Sequence, residues 1–217
     1  MRYFKLLNIK KLKIEKLLSK QIIQYCENNL QSSAQILKKI FEYKKFLLSE
    51  NLKMNLIGKS TEDDFDQRHI LDCIQIHNYI GDPNHRILDV GSGAGLPGIL
   101  LSILGFKNMH LVEKSPKKSI FLNNCKSRLG IEFTVHNNVI EKLKTSKFDS
   151  VVARAFAPIV KIISATKKIT DSKTKYILLK GKSYFNELEF VDQSKYDCKL
   201  YPSLTSHESK IVVIHSK

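Results

Sequence analysis

Cysteine is scarce in this sequence, and no C-x-x-C pair occurs. Four cysteines are spread over 217 residues: Cys26, Cys73, Cys125 and Cys198. A structural zinc site needs closely spaced ligand pairs, and a disulfide framework is typical of small secreted domains. We therefore expect no metal, and we interpret these cysteines as small buried hydrophobic residues.

Long hydrophobic runs and a secretory signal are also absent. The longest apolar runs are a few residues long, whereas a membrane-spanning helix needs about 20. The first ten residues are basic and lack the uninterrupted apolar stretch of a signal peptide. These absences predict a cytoplasmic protein that does not contact a membrane.

Acidic residues are outnumbered by basic ones. Asp and Glu total 21 against 36 Lys and Arg, which gives a formal net charge of +15. This surplus favours a polyanionic partner, because lysines set against phosphates release counterions. Lysine, isoleucine and asparagine are all abundant, however, so compositional drift explains the charge equally well.

Hydrophobic spacing predicts a helical N-terminal region over residues 1–80. Lysines alternate with leucines and isoleucines over residues 1–20, as in a basic amphipathic helix or arm. Apolar residues recur at helical spacing over residues 34–48. A further helix is expected over residues 62–80, ended by the Gly-Asp-Pro sequence that follows it.

The remaining residues, 81–217, have the pattern of an α/β domain. Strand-like runs alternate with helical stretches over residues 96–104 and 117–129, which predicts a doubly wound, mostly parallel sheet. The candidate parallel strands are Arg86–Val90, Met109–Glu113, Glu132–Val135, Ser150–Ala153 and Tyr176–Lys180. Two further strands, Tyr196–Tyr201 and Lys210–Ile214, are expected to add an antiparallel hairpin to one edge, for seven strands in all.

The strongest local signal is a glycine-rich stretch from Asp89 to Gly98. An apolar strand leads into it, Gly91, Gly93 and Gly95 follow, and a helix comes next. Glycine lets a ligand approach the backbone closely, and the start of a helix presents free N–H groups. A nucleotide-type ligand therefore explains this loop better than a purely structural turn.

Two cofactors fit the loop. The G-x-G-x-x-G spacing that starts at Gly93 matches the dinucleotide fingerprint, and Glu113 is placed to bind ribose hydroxyls. An NAD-dependent oxidoreductase is therefore a rival interpretation. A Walker-type phosphate loop is not, because no G-K-[ST] follows. Asp89 precedes Gly91 by two residues and gives the series Asp89-x-Gly91-x-Gly93-x-Gly95. This series resembles the first motif of the class I methyltransferases. It favours S-adenosylmethionine, because a carboxylate suits an ammonium group and not a pyrophosphate.

Stretches outside the loop resemble one family, the glucose-inhibited division protein B family of 16S rRNA guanine-N7 methyltransferases. The resemblance covers roughly residues 45–215. Its stretches are Asn55-Leu56, Arg68-His69-Ile70-Leu71-Asp72, Asp89 to Gly98, Lys117-Lys118, Arg154-Ala155-Phe156-Ala157 and Leu178-Leu179-Lys180-Gly181-Lys182. The resemblance implies a Rossmann-like class I fold that transfers a methyl group from S-adenosylmethionine to guanine N7 in 16S ribosomal RNA or the small ribosomal subunit.

The resemblance also implies roles for single residues. The expected cofactor-binding residues are Asp89, Gly91, Gly93, Leu96, Glu113, Val139, Ile140 and Arg154. Val139 and Ile140 would flank the adenine. Arg154 would contact both cofactor and RNA and align the guanine, as the residue with a catalytic role. The expected RNA contacts are Asn55, Arg68, His69 and Lys180.

Several of these residues have a structural alternative. Arg68 and Asp72 are four residues apart on a predicted helix and can pair with each other. His69 can be a hydrogen-bonded interface residue, and Asp89 can brace the loop. Lys180 can be a solvated strand end.

The sequence departs from the family pattern at a few positions. It contains no Trp, whereas the family has one shortly before Asn55. Leu52 replaces a Lys, Ile57 replaces a Thr, and Asn138 stands where Arg is common. Glu113 replaces an Asp and keeps the carboxylate. These changes concern the RNA contacts and leave the expected cofactor site intact.

The implied chemistry needs no general base. Guanine N7 carries a free lone pair and loses no proton, so catalysis would come from proximity and alignment. The absence of an Asn-Pro-Pro-Tyr-type loop, which amine methylation favours, agrees with this.

We expect a monomer. Other rivals are a methyltransferase of another RNA or protein, and an RNA-binding ribosome-assembly protein without catalytic activity.

Overall fold

A computed structural model describes residues 18–31 and 33–217. The chain divides into two compact units, one up to Leu71 and one from Asp72 to Lys217. The basic helix or arm predicted for residues 1–20 lies almost entirely outside the described residues. The division into a helical region and a methyltransferase domain at residues 80 and 81 stays a prediction.

The first unit is built on two helices, α1 (Lys20–Asn29) and α2 (Ser33–Asn51), which contact each other. Helix α2 confirms the helix predicted over residues 34–48. The Asp66 carboxylate ties the unit together: Oδ2 accepts the Ser19 N–H (2.6 Å), and Oδ1 lies 2.7 Å from Lys44 Nζ. Both anchors hold the segment of Asp66 against the helical pair.

The prediction of a single helix over residues 62–80 is wrong. A π-helical turn covers Asp66–Leu71, and two short helices follow in the second unit, α3 (Asp72–Ile74) and α4 (His77–Ile80). Side chains bond to the backbone acceptors here. Gln75 Nε2 donates to the Asp72 carbonyl oxygen (2.9 Å), and His77 Nδ1 lies 3.0 Å from the Ile74 carbonyl oxygen. Such bonds compete with a continuous helix.

The second unit contains a seven-stranded, mostly parallel sheet, as predicted, and its strand order is β3-β2-β1-β4-β5-β7-β6. Five strands are parallel: β1 (Arg86–Val90), β2 (Asn108–Glu113), β3 (Thr134–Asn137), β4 (Ser150–Arg154) and β5 (Lys175–Lys180). The hairpin of β6 (Tyr196–Pro202) and β7 (Lys210–Ser216) pairs antiparallel to β5 through β7.

Strand β3 begins two residues later than predicted. Gly130 adopts a left-handed conformation (φ 56°), and the Ile131 N–H bonds back to the Lys126 carbonyl oxygen. These residues end the preceding helix in a cap of the kind that glycine favours. The chain needs the next residues to leave this turn, so pairing with β2 starts only at Thr134.

The remaining helices of the second unit are α5 (Gly98–Ile103), α6 (Pro116–Leu129), α7 (Ile159–Thr166) and α8 (Tyr184–Leu188). The apolar runs of the strands form the core, and every residue of β1 after Arg86 is buried. The strand order reverses between β1 and β4. In open α/β sheets, ligands bind at such a switch point, outside the carboxyl ends of the strands.

The described part of the chain contains no helix with the length and apolarity needed to span a membrane. Cys26, Cys73 and Cys125 are buried and Cys198 is partly buried, all as free thiols. Across residues 18–31 and 33–217, no group of three or more His, Cys, Asp or Glu side chains is placed to hold a metal ion.

Candidate active site

The glycine-rich loop lies between β1 and α5 and is tied to the end of β2. The Gly91 and Ser92 N–H groups both donate to the Val112 carbonyl oxygen (3.0 Å each). Gly91 has a φ of 70°, and a side-chain carbon there would overlap the Phe156 ring. Glycine is therefore required at this position by both conformation and space.

Glu113 fixes the middle of the loop from the end of β2. Its side chain is buried, and Oε2 accepts the Gly93 N–H (2.9 Å) while Oε1 accepts the Ser115 N–H (2.8 Å). Each carboxylate oxygen can accept more than one hydrogen bond. Glu113 can therefore hold the loop and still accept hydroxyl donors from a ligand in the pocket.

Asp89 fixes the far end of the loop from inside the protein. It is fully buried, and Oδ2 accepts the Gly98 N–H (3.1 Å) at the start of α5. Oδ1 has no hydrogen-bond partner among the described residues. Burial raises the pKa of Asp89 to about 7, against the lowering effect of hydrogen bonds from Ser92 and Gly98. This geometry favours the interpretation of Asp89 as a brace of the loop.

A pocket of about 460 Å³ opens beside this loop, within the size range of small-ligand sites. Its lining comes from the carboxyl ends of β1, β2 and β4 and from the segment after β3. The lining residues are Gly91, Gly93, Val112, Glu113, Lys114, Lys118, Asn138, Val139, Ile140, Glu141, Ala155, Phe156, Ala157 and Lys161. Of the eight predicted cofactor residues, five line this pocket: Gly91, Gly93, Glu113, Val139 and Ile140.

The pocket has the chemistry of a nucleoside site. Val139 is 37% exposed and Ile140 is buried next to it, so together they offer an apolar wall for a base. Glu113 offers the acceptor for ribose hydroxyls. The Gly91 backbone has no side chain to block an approaching ligand. The unpartnered Asp89 Oδ1 behind the loop is an acceptor that a ligand's ammonium group, or a water next to it, would satisfy.

Arg154, Asp89 and Leu96 are predicted cofactor residues outside this lining. Arg154 ends β4, and its Nε donates to Asp72 Oδ2 (3.1 Å); the two side chains are 20% and 16% exposed. Asp72 Oδ1 also accepts the Thr205 hydroxyl (3.0 Å). A polar network therefore holds the Arg154 side chain in one orientation at the edge of the sheet.

Lys180 is not solvated at the end of its strand, which was the structural alternative for this residue. Its side chain is 9% exposed, and Nζ lies 2.6 Å from the Ala157 carbonyl oxygen and 2.7 Å from Glu187 Oε2. Nothing in the sequence singled out Glu187, because its contact with Lys180 depends on how the helix Tyr184–Leu188 folds back after β5. The direct contact of Lys180 with RNA stays a prediction.

The other three predicted RNA contacts lie in the first unit. Asn55 and Arg68 are exposed. His69 is buried, with Nε2 at 2.8 Å from Thr61 Oγ1 and its ring against Phe65. These contacts fit the interpretation of His69 as a hydrogen-bonded structural residue.

Comparison with solved structures agrees with this fold. Ribosomal protein L11 methylase from Lactobacillus delbrueckii subsp. bulgaricus is 17% identical with a TM-score of 0.57, over 68% of this chain and 77% of that one. A TehB-like SAM-dependent methyltransferase from Corynebacterium glutamicum is 14% identical with a TM-score of 0.55, over 78% and 98%. The sheet order and the glycine loop with its acidic partner define a class I methyltransferase.

Comparison of the sequence identifies one family within this class. The family model of rRNA small subunit methyltransferase G matches residues 36–210, and the chain belongs to that family. A curated relative is Ribosomal RNA small subunit methyltransferase G of Orientia tsutsugamushi (strain Ikeda). It is 38% identical over 195 residues, which are 89% of this chain and 98% of that protein. The resemblance identified from the sequence is thereby confirmed.

Proposed function

We propose that this protein transfers the methyl group of S-adenosylmethionine to N7 of a guanine in 16S ribosomal RNA. Family membership over residues 36–210 supports the reaction and the substrate. The observation that carries the proposal in the structure is the pocket beside the glycine loop, with Glu113 at its edge and Val139 in its wall.

Within this proposal, S-adenosylmethionine supplies a methyl group on a positively charged sulfur when it is bound. Glu113 would accept the ribose hydroxyls, and Val139 and Ile140 would flank the adenine. The backbone of Gly91 and Gly93 borders the methionine part, with Leu96 behind the loop. Asp89 would keep the loop in place, and its unpartnered Oδ1 would be an acceptor for the ammonium group or for a water next to it.

The acceptor base needs alignment and no proton transfer. N7 of guanine is a hydrogen-bond acceptor with a free lone pair. Arg154 sits where the strand order reverses and is oriented by Asp72, so it is suited to contact guanine O6. Phe156, 40% exposed in the pocket wall, offers a face on which the base can stack. Asn55 and Arg68, which are both exposed, are the proposed further contacts with RNA.

The proposed substrate also sets the surroundings. Ribosomal RNA or the small ribosomal subunit is the partner, and the reaction takes place in the cytoplasm. We propose that the protein acts as a monomer.

The test is methyl transfer from labelled S-adenosylmethionine to small-subunit RNA from cells that lack this gene. We expect one label per RNA, at N7 of one guanine, located by cleavage at the modified base. Arg154→Ala should lose at least tenfold in kcat and keep its affinity for S-adenosylmethionine. Label on another RNA or on a protein would replace the proposed substrate. Calorimetric binding of NAD without binding of S-adenosylmethionine would end the proposal.

A further inference from the structure

The segment that leaves β4 forms one wall of the pocket. Ala155 has a φ of 51°, in the left-handed region that non-glycine residues adopt only when their surroundings hold them there. The next residue, Phe156, lies with its ring directly over Gly91. Ala155, Phe156 and Ala157 all line the pocket. The path of this segment therefore decides where the Phe156 ring stands.

Two charged side chains from the next elements of the fold hold this segment. Lys180, at the end of β5, donates to the Ala157 carbonyl oxygen (2.6 Å). Glu187, in α8, accepts the Ile159 N–H (2.9 Å) with Oε2, the same oxygen that lies 2.7 Å from Lys180 Nζ. The pair therefore bonds the backbone on both sides of Pro158, just after Phe156.

The pair lies largely out of water, since the Lys180 side chain is 9% exposed and that of Glu187 is 16% exposed. Removing two charges from water is costly, so such a pair contributes little to stability compared with apolar residues of the same size. Its contribution here is to fix the path of the backbone after Phe156. It gives a backbone carbonyl and a backbone N–H charged partners at fixed positions.

We propose that Lys180 and Glu187 are positioning residues that hold the Phe156 ring against the cofactor pocket, where it stacks on the acceptor base. The inference rests on the proposed function for the identity of that base. Neither side chain touches the reacting atoms in this arrangement. Both act through the backbone of residues 157–159, and Lys180 acts there rather than on RNA.

The first test compares kcat with KM. Lys180→Met keeps the aliphatic stem and removes the charge, and Glu187→Gln keeps the shape. We expect each to lower kcat by about tenfold or more, because small misplacements of a positioned group are costly in rate. KM for RNA and affinity for S-adenosylmethionine should stay within about twofold. The kcat of the double variant should be no lower than that of Lys180→Met alone, because both changes disrupt the same Lys180–Glu187 pair.

The matched control is Glu132→Gln. It breaks an ion pair of similar length, Lys126 to Glu132 (2.8 Å), that lies on the surface away from the pocket lining. This variant should keep its kcat and its melting temperature. A melting temperature that falls in Glu187→Gln while kcat is kept would mean a structural role only, and would overturn the proposal.

The second test reads the ring directly and needs no substrate. Because the chain contains no Trp, Phe156→Trp introduces a single tryptophan at the proposed platform, and it can be excited at wavelengths that tyrosine does not absorb. In that background, Glu187→Gln should increase acrylamide quenching about twofold, and Glu132→Gln should leave it unchanged. Equal quenching in all three proteins would overturn the positioning role.

The outcomes separate this inference from the proposed function. Absence of methyl transfer to 16S RNA by the unaltered protein would count against the proposed function alone, since quenching still reports the ring position. Weaker RNA binding in Lys180→Met with normal binding in Glu187→Gln would make Lys180 a direct RNA contact and overturn the positioning role.

Discussion

At the scale of single residues, Asp89 is the unusual ionisable group of the site. Its carboxyl is buried behind the glycine loop, where Oδ2 accepts the Gly98 N–H and Oδ1 has no hydrogen-bond partner among the described residues. Burial raises its pKa from 3.8 to about 7. Between these two values, the folded protein keeps a proton that the unfolded chain has released. The free energy of unfolding therefore falls as pH rises from about 4 to about 7, and this contribution levels off above pH 7.

Asp89→Asn should remove that dependence. We expect the variant to gain stability relative to the unaltered protein between pH 5 and pH 8, by a few kcal/mol, since one pKa unit corresponds to about 1.4 kcal/mol. Urea denaturation at the two pH values measures the difference. The exposed Glu132→Gln serves as control and should change by less than about 0.5 kcal/mol. An Asp89→Asn difference that is the same at both pH values would refute the assignment.

The site residues that sequence alone could predict are those in a local pattern. The loop glycines and Glu113 lie at or just after the ends of strands, so their position in the chain fixes their position at the sheet edge, whereas the roles of Val139 and Ile140 came from the family resemblance. The burial of Lys180 and its partner Glu187 could not be predicted this way. Their interaction depends on how α8 folds back after β5, and no local pattern records it.

At the scale of elements, the loop between β1 and α5 depends on the absence of side chains. Gly91→Ala would place a carbon 2.1 Å from Cδ2 of the Phe156 ring and strain a backbone with a φ of 70°. We expect affinity for S-adenosylmethionine to fall at least tenfold and stability to fall by about 1–3 kcal/mol. Calorimetric titration and thermal denaturation measure the two effects.

Gly58→Ala is the matched control for this change. Its added carbon would find the nearest atoms at 3.9 Å, in ordinary contact distance, and Gly58 lies outside the pocket lining. Affinity should stay unchanged, and stability should stay equal or rise slightly. Equal loss of affinity in both variants would show that the loop does not form the cofactor site.

Strands β1, β4 and β5 were predictable because their apolar runs are buried on both faces of the sheet. The segment over residues 62–80 was not, although its apolar spacing looks helical. There the structure satisfies backbone carbonyl groups with the side chains of Gln75 and His77. Gln75 also accepts a hydrogen bond from the Leu204 N–H (2.8 Å), across a separation of 129 residues that no periodicity contains.

At the scale of the whole molecule, part of the positive charge lies at the pocket. Lys114, Lys118 and Lys161 line the pocket, and no carboxylate among the described residues lies in ion-pair distance of their amino groups. A polyanion that delivers a base to this pocket brings its phosphates close to them. Three of the 36 lysines and arginines are therefore placed to meet RNA phosphates, in a lining that also contains Glu113 and Glu141.

Replacement of these three lysines by Gln should reduce the salt dependence of RNA binding. The slope of log affinity against log salt should fall by about 0.7–0.9 for each phosphate that a lysine no longer neutralises. The control changes Lys144, Lys167 and Lys173, three exposed lysines near the amino ends of β4 and β5. Fluorescence titrations at several salt concentrations compare the two. Equal slopes in both triple variants would assign RNA binding to another surface.

The anchoring of the glycine loop has a kinetic consequence. Val112, Glu113 and Asp89 hold its backbone from three sides through hydrogen bonds within the protein itself. The conformational entropy of ordering this loop is therefore lost during folding and does not have to be lost again on each binding event. A preorganised loop of this kind lets cofactor and demethylated product exchange without a rearrangement of the backbone. The turnover of the enzyme is then free to be governed by the arrival and departure of the much larger RNA.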